Sequence, residues 1–140
     1  MNDRYDLQRF VDAQEPVYPQ VLAELRAARK ASHWMWFVFP QLAGLGGSPM
    51  ARRYAISSLD EARAYLAHPV LGLRLRECSE LVLRAAQPDV HRIFGSPDDL
   101  KFRSCMTLFQ RAAPREPVFG ACLDRYFRGE PDERTLALVE

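Results

Sequence analysis

The run Lys30-Ala-Ser-His-Trp-Met-Trp-Phe-Val-Phe-Pro-Gln-Leu-Ala-Gly-Leu-Gly46 holds both tryptophans of the chain, with a lysine, a serine and a histidine at one end and Gln41 and a glycine-rich loop at the other. Apolar walls with a few directional polar groups are what a small-molecule pocket requires. Lys30, Ser32, Trp34, Trp36 and Gln41 are therefore candidate ligand-binding residues. His33 is a candidate acid or base, since imidazole titrates near neutrality. Two plainer readings stand beside these. Large aromatics dominate the cores of small domains, and a lone histidine among aromatics is commonly a core residue with one satisfied nitrogen.

Further along the chain, Lys101 lies between Cys105 at i+4 and Leu108 at i+7 on a helical wheel, with Ser104 on the same helix. A lysine between apolar neighbours is costly to bury without an anion. It either aims at a ligand phosphate or carboxylate, or snorkels and pairs with Asp98 at i−3. Arg74 borders the stripe of Leu71 and Leu75 and poses the same choice, with Glu61 or Asp98 as structural partners. A guanidinium can grip a carboxylate or phosphate through two parallel bonds. Glu61 is the candidate carboxylate for acid–base work, and Tyr54 and Ser104 complete the ligand-binding set. Cys105 acting as a nucleophile with His33 is a remote arrangement, because a helical core cysteine is ordinarily inert.

The spacing of His33, His68 and His91 with each other and with Cys78, Cys105 and Cys122 fits no metal-ligand pattern. No Walker loop, dinucleotide fingerprint or Gly-x-Ser-x-Gly elbow is present, so no cofactor is implied. Lysine plus arginine number 19 against 18 acidic residues, which argues against a broad nucleic-acid footprint. No apolar run approaches the roughly 20 residues that span a bilayer. The opening residues carry no cleavable signal, and three widely spaced cysteines read as reduced thiols, so a cytoplasmic location is expected. The 140 residues fit one domain, 1–140, with one core.

Nearly every periodic segment reads as helix. Asp3 can cap a first helix that faces Leu7, Phe10 and Val11 inward. Residues 16–30 read as a second, with Val21, Leu22, Leu25 and Ala28 buried and Glu24 and Arg26 facing out. Residues 34–39 are ambiguous: β-rich composition favours strand, while one or two helical turns fit equally before Pro40. Ser48-Pro49 starts a further helix, and Ser58-Leu-Asp-Glu61 is a capping box for one ending near residue 67. His68-Pro69 then breaks the chain, with His68 a turn or cap residue. Residues 69–86 follow with Leu71, Leu75, Cys78 and Val82 inward. Ser96-Pro97-Asp98-Asp99 opens a helix judged central, because Phe102, Met106 and Phe109 occupy one side and Leu100, Cys105 and Leu108 much of the rest. Residues 118–127 form the next helix, terminated by Gly129, and a short last one begins near Asp132. The expected fold class is all-α or mainly α, a compact bundle of six or more helices.

The aromatic signature, together with Leu7-Gln-Arg-Phe10, Tyr54-Ala-Ile, Glu61-Ala-Arg-Ala-Tyr-Leu-Ala-His-Pro69, Leu71 with Arg74-Leu75, Ile93-Phe-Gly95 and Asp98-Asp-Leu-Lys101, resembles the bacterial and fungal family of unknown function numbered eighteen-ten, whose members have often carried the label calpastatin. Cys105 stands where the family pattern has a serine. The resemblance implies a compact, mainly helical cytoplasmic domain and no established activity. A weaker similarity, in element order and in the late lysine-bearing helix, is to the NADAR proteins, small helical enzymes acting on ADP-ribose-type N-glycosidic linkages. Two functional expectations follow. One is a small N-glycoside hydrolase or nucleotide-metabolite enzyme, with Glu61 or His33 as acid–base and Lys30, Arg74 and Lys101 holding a phosphate. The other is a non-catalytic domain binding a small anionic ligand or a protein. The oligomeric state is not legible in the sequence.

Overall fold

The computed structural model describes residues 3–139, and within them the chain is all-α, with ten helices and a single isolated bridge between Leu42 and Ile56. The helices are α1 (Gln8–Gln14), α2 (Tyr18–Arg26), α3 (Met35–Val38), α4 (Pro49–Arg53), α5 (Leu59–Ala67), α6 (Leu71–Leu83), α7 (Val90–Phe94), α8 (Asp98–Ala112), α9 (Pro117–Phe127) and α10 (Glu133–Val139). None is long and apolar enough to cross a membrane.

Local chemistry sets many of the boundaries. The Asp3 carboxylate accepts from the amides of Leu7 and Gln8 ahead of α1. The Ser48 and Ser58 hydroxyls accept from the amides of Ala51 and Glu61. The return arm of the expected capping box goes elsewhere: Glu61 takes the amide of Ser57, not that of Ser58. His68 Nδ1 accepts from Val70 and Leu71, so this histidine caps α6. Asp132 accepts from the amide and hydroxyl of Thr135 and caps α10. Helix α7 had no counterpart in the sequence reading, and Asp89 caps it through the amide of His91.

The centre is α8, which packs against α5, α7, α9 and α10. Phe102, Cys105, Met106, Leu108 and Phe109 are fully buried on it. Leu100 departs from that pattern, being 56% exposed beside the cleft described below. Phe102 stacks on Phe94 at 4.8 Å and meets Phe39 edge-on at 5.1 Å, tying the aromatic signature to the core. Helices α5 and α6 approach so closely at Gly72 that a Cβ there would lie 2.0 Å from the Leu66 carbonyl oxygen, which fixes glycine at that position. The residues expected on the inner face of α6, namely Leu71, Leu75, Cys78 and Val82, are all buried.

Residues 34–39 resolve to one helical turn, with the Val38 amide on the Trp34 carbonyl and the Phe39 amide on that of Met35. Pro40 ends it, having no N–H to donate. Buried Gln14 donates to the Phe37 carbonyl at 2.7 Å, satisfying a helix-end acceptor.

Candidate functional site

The signature segment divides into two unlike halves. In the first, the chain reverses after α2 at Ala28, whose φ is +54°. That reversal lays residues 30–34 over Glu24, which is buried, not solvent-facing as the periodicity implied. Its Oε1 accepts from the amides of Ala31 and Ser32 and from the Trp34 indole N–H, at 2.7, 3.0 and 2.9 Å. Its Oε2 accepts from the Ser32 hydroxyl at 2.6 Å and from Gln20 at 2.9 Å. Burial alone raises a carboxyl pKa, but the Ser32, Ala31, Gln20 and Trp34 donors outweigh it and hold this one down to about 2. Ser32 and Trp34 are thus committed to an internal clamp. His33, between them, is exposed rather than in the core.

Lys30 and Lys101 share one counter-ion. Asp98 Oδ2 lies 2.9 Å from Lys30 Nζ, and Oδ1 lies 3.4 Å from Lys101 Nζ. Each ammonium also sits 5.2 Å from an indole centroid, Lys30 over Trp34 and Lys101 over Trp36. The Lys30 side chain is only 8% exposed, whereas that of Lys101 is 25% exposed.

In the second half the molecule opens. Trp36, Gln41, Tyr54 and Lys101 line an apolar recess with Met35, Phe39 and Ala51. The recess holds about 10 Å³, no more than one water molecule requires. It adjoins a groove of about 440 Å³, with Gln41, Ala51 and Lys101 common to both. Gly46, Gly47, Ser48 and Leu100 line the groove, as do Ser104 from α8 and Asp132 and Arg134 from the start of α10. Ser104 donates its hydroxyl proton to the Leu100 carbonyl, so toward the groove it offers lone pairs. Five of the candidate residues, Trp36, Gln41, Tyr54, Lys101 and Ser104, therefore converge. Asp132, Arg134 and Ser48 join them, and sequence reasoning missed all three: no local pattern reports that α10 packs on α8, and Ser48 read only as a helix cap.

The remaining candidates lie elsewhere. Arg74 bonds Glu15 at 3.0 Å and Gln14 at 3.3 Å and covers the Tyr18 ring at 4.6 Å, so its partner is neither Glu61 nor Asp98. Glu61 is buried, with Oε1 held by the Ser57 amide and hydroxyl and Oε2 by Arg9 at 3.1 Å. Cys78, Cys105 and Cys122 are free and buried. Burial pushes the Cys105 thiol well above its ordinary pKa and those of Cys78 and Cys122 up to about 12, which keeps them protonated and unreactive. Among the described residues no cluster of histidine, cysteine and carboxylate side chains could hold a metal ion.

An all-α chain with an amphiphilic groove beside an indole, and with a buried carboxylate clamp under the same signature, defines a class by architecture and not by reaction. The chain belongs to the family described as protein of unknown function DUF1810, matched over residues 4–139. It is similar in structure to the conserved hypothetical protein Rv1873 from Mycobacterium tuberculosis, with 58% sequence identity, a TM-score of 0.96 and 98% of each chain covered. No curated protein matches it.

Proposed function

We propose that the chain binds a small anionic molecule in the groove between the 41–48 loop, α8 and α10, and that it does so as a binding domain of the cytoplasm. One observation carries the reading: Lys101, whose one carboxylate partner among the described residues is shared with the better-buried Lys30, lines a groove assembled from three distant chain segments. A cation with half a counter-ion gains most from an incoming anion, because ammonium-to-oxyanion hydrogen bonds are among the strong ones. Trp36 lines the small recess beside the groove, and its ring lies 5.2 Å from the Lys101 ammonium, so its part is to hold that cation at the groove's edge. Three buried free thiols suit a reducing compartment.

Hydrolysis is not part of this reading. Both oxygens of Glu61 are engaged away from the groove, and His33 does not line it. The kinship in element order with enzymes of ADP-ribose-type linkages is an analogy of fold, and fold alone does not carry chemistry.

The test is calorimetry and thermal denaturation with AMP, ADP, adenosine and citrate, on the wild type and on Lys101→Met. At least one anion is expected to raise the melting temperature, because a ligand that binds only the native state stabilises it. Lys101→Met is expected to weaken that anion by about tenfold or more, the scale of one charge-assisted bond. A blank panel, or equal affinity for both proteins, overturns the proposal.

A further inference from the structure

Resting on the binding reading above, we infer that the polar end of the groove is a phosphoryl seat, formed by Lys101 and Arg134 together with Ser48 and the amides of Gly46 and Gly47. The first support is electrostatic. One Asp98 carboxylate faces two ammonium groups, at 2.9 Å from Lys30 and 3.4 Å from Lys101, so the trio keeps one net positive charge. The more buried and closer lysine holds the carboxylate, which leaves the excess at Lys101, on the groove side.

The second support comes from the opposite wall. Arg134 lines the same groove, is exposed, and makes no ion pair with any described residue. Asp132 is the opposing charge within the groove, but its Oδ2 accepts from the amide and hydroxyl of Thr135 at 2.9 and 2.6 Å. Two cations against one partly satisfied carboxylate leave the lining positive.

The third support is the supply of uncharged donors. The Ser48 hydroxyl accepts from the Ala51 amide and donates to no described group, so its proton is free. The amides of Gly46 and Gly47 likewise donate to no described group. Gly46 tolerates no side chain here, since a Cβ would lie 2.6 Å from that of Ala51, so the backbone itself forms this part of the wall. An ammonium from α8, a guanidinium from α10, and a hydroxyl and backbone amides from the 41–48 loop line the one groove. That set suits a tetrahedral anion with three terminal oxygens, whereas a planar carboxylate is already satisfied by one bidentate arginine.

The experiment is an amide-resolved NMR titration with inorganic phosphate and, separately, with acetate at matched ionic strength. Phosphate is expected to shift the Gly46, Gly47 and Ser48 amides with saturation, and acetate is expected to do so more weakly. Arg134→Gln, an exposed substitution that leaves the core untouched, is expected to raise the phosphate dissociation constant about tenfold. Shifts that fail to saturate, an equal response to acetate, or an unchanged constant in Arg134→Gln each overturn the seat. The broader reading survives any of these if Lys101→Met still weakens an anion of the panel, and it falls separately if that panel is blank.

Discussion

The two halves of the aromatic signature obey opposite rules. From Lys30 to Trp34, the polar groups other than the exposed His33 ring are turned inward: the Ser32 hydroxyl, two amides and the Trp34 indole converge on Glu24, and Lys30 is pinned to Asp98. From Trp36 to Ser48, the polar groups border open space, and Lys101 has only a share of a carboxylate. A conspicuous motif is therefore not one functional unit. Its first half is an anchor that sets the position of its second, and the helical turn of α3 between them swings Trp34 and Trp36 to different sides.

The largest effect should come from removing the anchor. Glu24→Ala leaves the Trp34 indole, the Ser32 hydroxyl and two amides without their acceptor in a buried site. A loss of about 3–5 kcal/mol in urea denaturation is expected, since each orphaned buried donor costs about 1–3 kcal/mol and the neighbours relax in part. A loss below about 1 kcal/mol would show that the first half is no anchor and would erase the contrast. The same carboxylate makes the anchor acid-labile. Its folded pKa of about 2 lies below the ordinary value of 4.5, so its stabilisation is complete above that ordinary value and fades as the pH falls toward 2. The amount at stake is on the order of 3 kcal/mol. Glu24→Gln, which does not titrate, should flatten the stability profile over that window relative to wild type.

Why Glu24 escaped the sequence reading is itself physical. A helix running unbroken over residues 16–30 would keep residue 24 on its outer side. The helix instead stops at Arg26, and Ala28 takes a left-handed conformation that alanine seldom adopts. Glycine or asparagine there would have signalled the reversal, and alanine does not. By contrast, the Ser48 and Ser58 caps, the start of the last helix near Asp132, the inner stripe of α6 and the burial of α8 apart from Leu100 were legible, because each is written in short-range spacing. The six-residue aromatic run was undecided between strand and helix since so short an apolar segment has no period to read. Arg134 reaches the groove only through the docking of a seven-residue terminal helix, which is a tertiary fact.

A smaller effect should follow from Glu61→Ala. It leaves the Ser57 amide and hydroxyl without their acceptor and takes the carboxylate from Arg9, which keeps its bonds to the carbonyls of Tyr5, Asp6, Arg53 and Ala55, so stability should fall by about 2–3 kcal/mol. Anion binding in the groove should persist at low temperature with its affinity unchanged within about twofold. Loss of binding in a variant that circular dichroism shows folded would instead make Glu61 part of the functional half.

The smallest effect sharpens the contrast most, because it concerns a cation that sequence reasoning grouped with Lys101. Arg74 has a full carboxylate partner in Glu15, a second acceptor in Gln14 and the face of Tyr18 beneath it, whereas Lys101 has a divided partner and an open groove. The Glu15 side chain is 58% exposed, so solvent screens that ion pair and its net contribution is small. Arg74→Ala should therefore cost about 1 kcal/mol or less, most of it lost packing on Tyr18 and the Gln14 contact. It should leave phosphate and nucleotide affinities at wild-type values. Paired with Lys101→Met, this gives two cation deletions with different binding outcomes. Should Arg74→Ala weaken an anion as much as Lys101→Met does, the groove would not be where the anion sits, and the division between a committed and an available cation would have to be drawn elsewhere on the molecule.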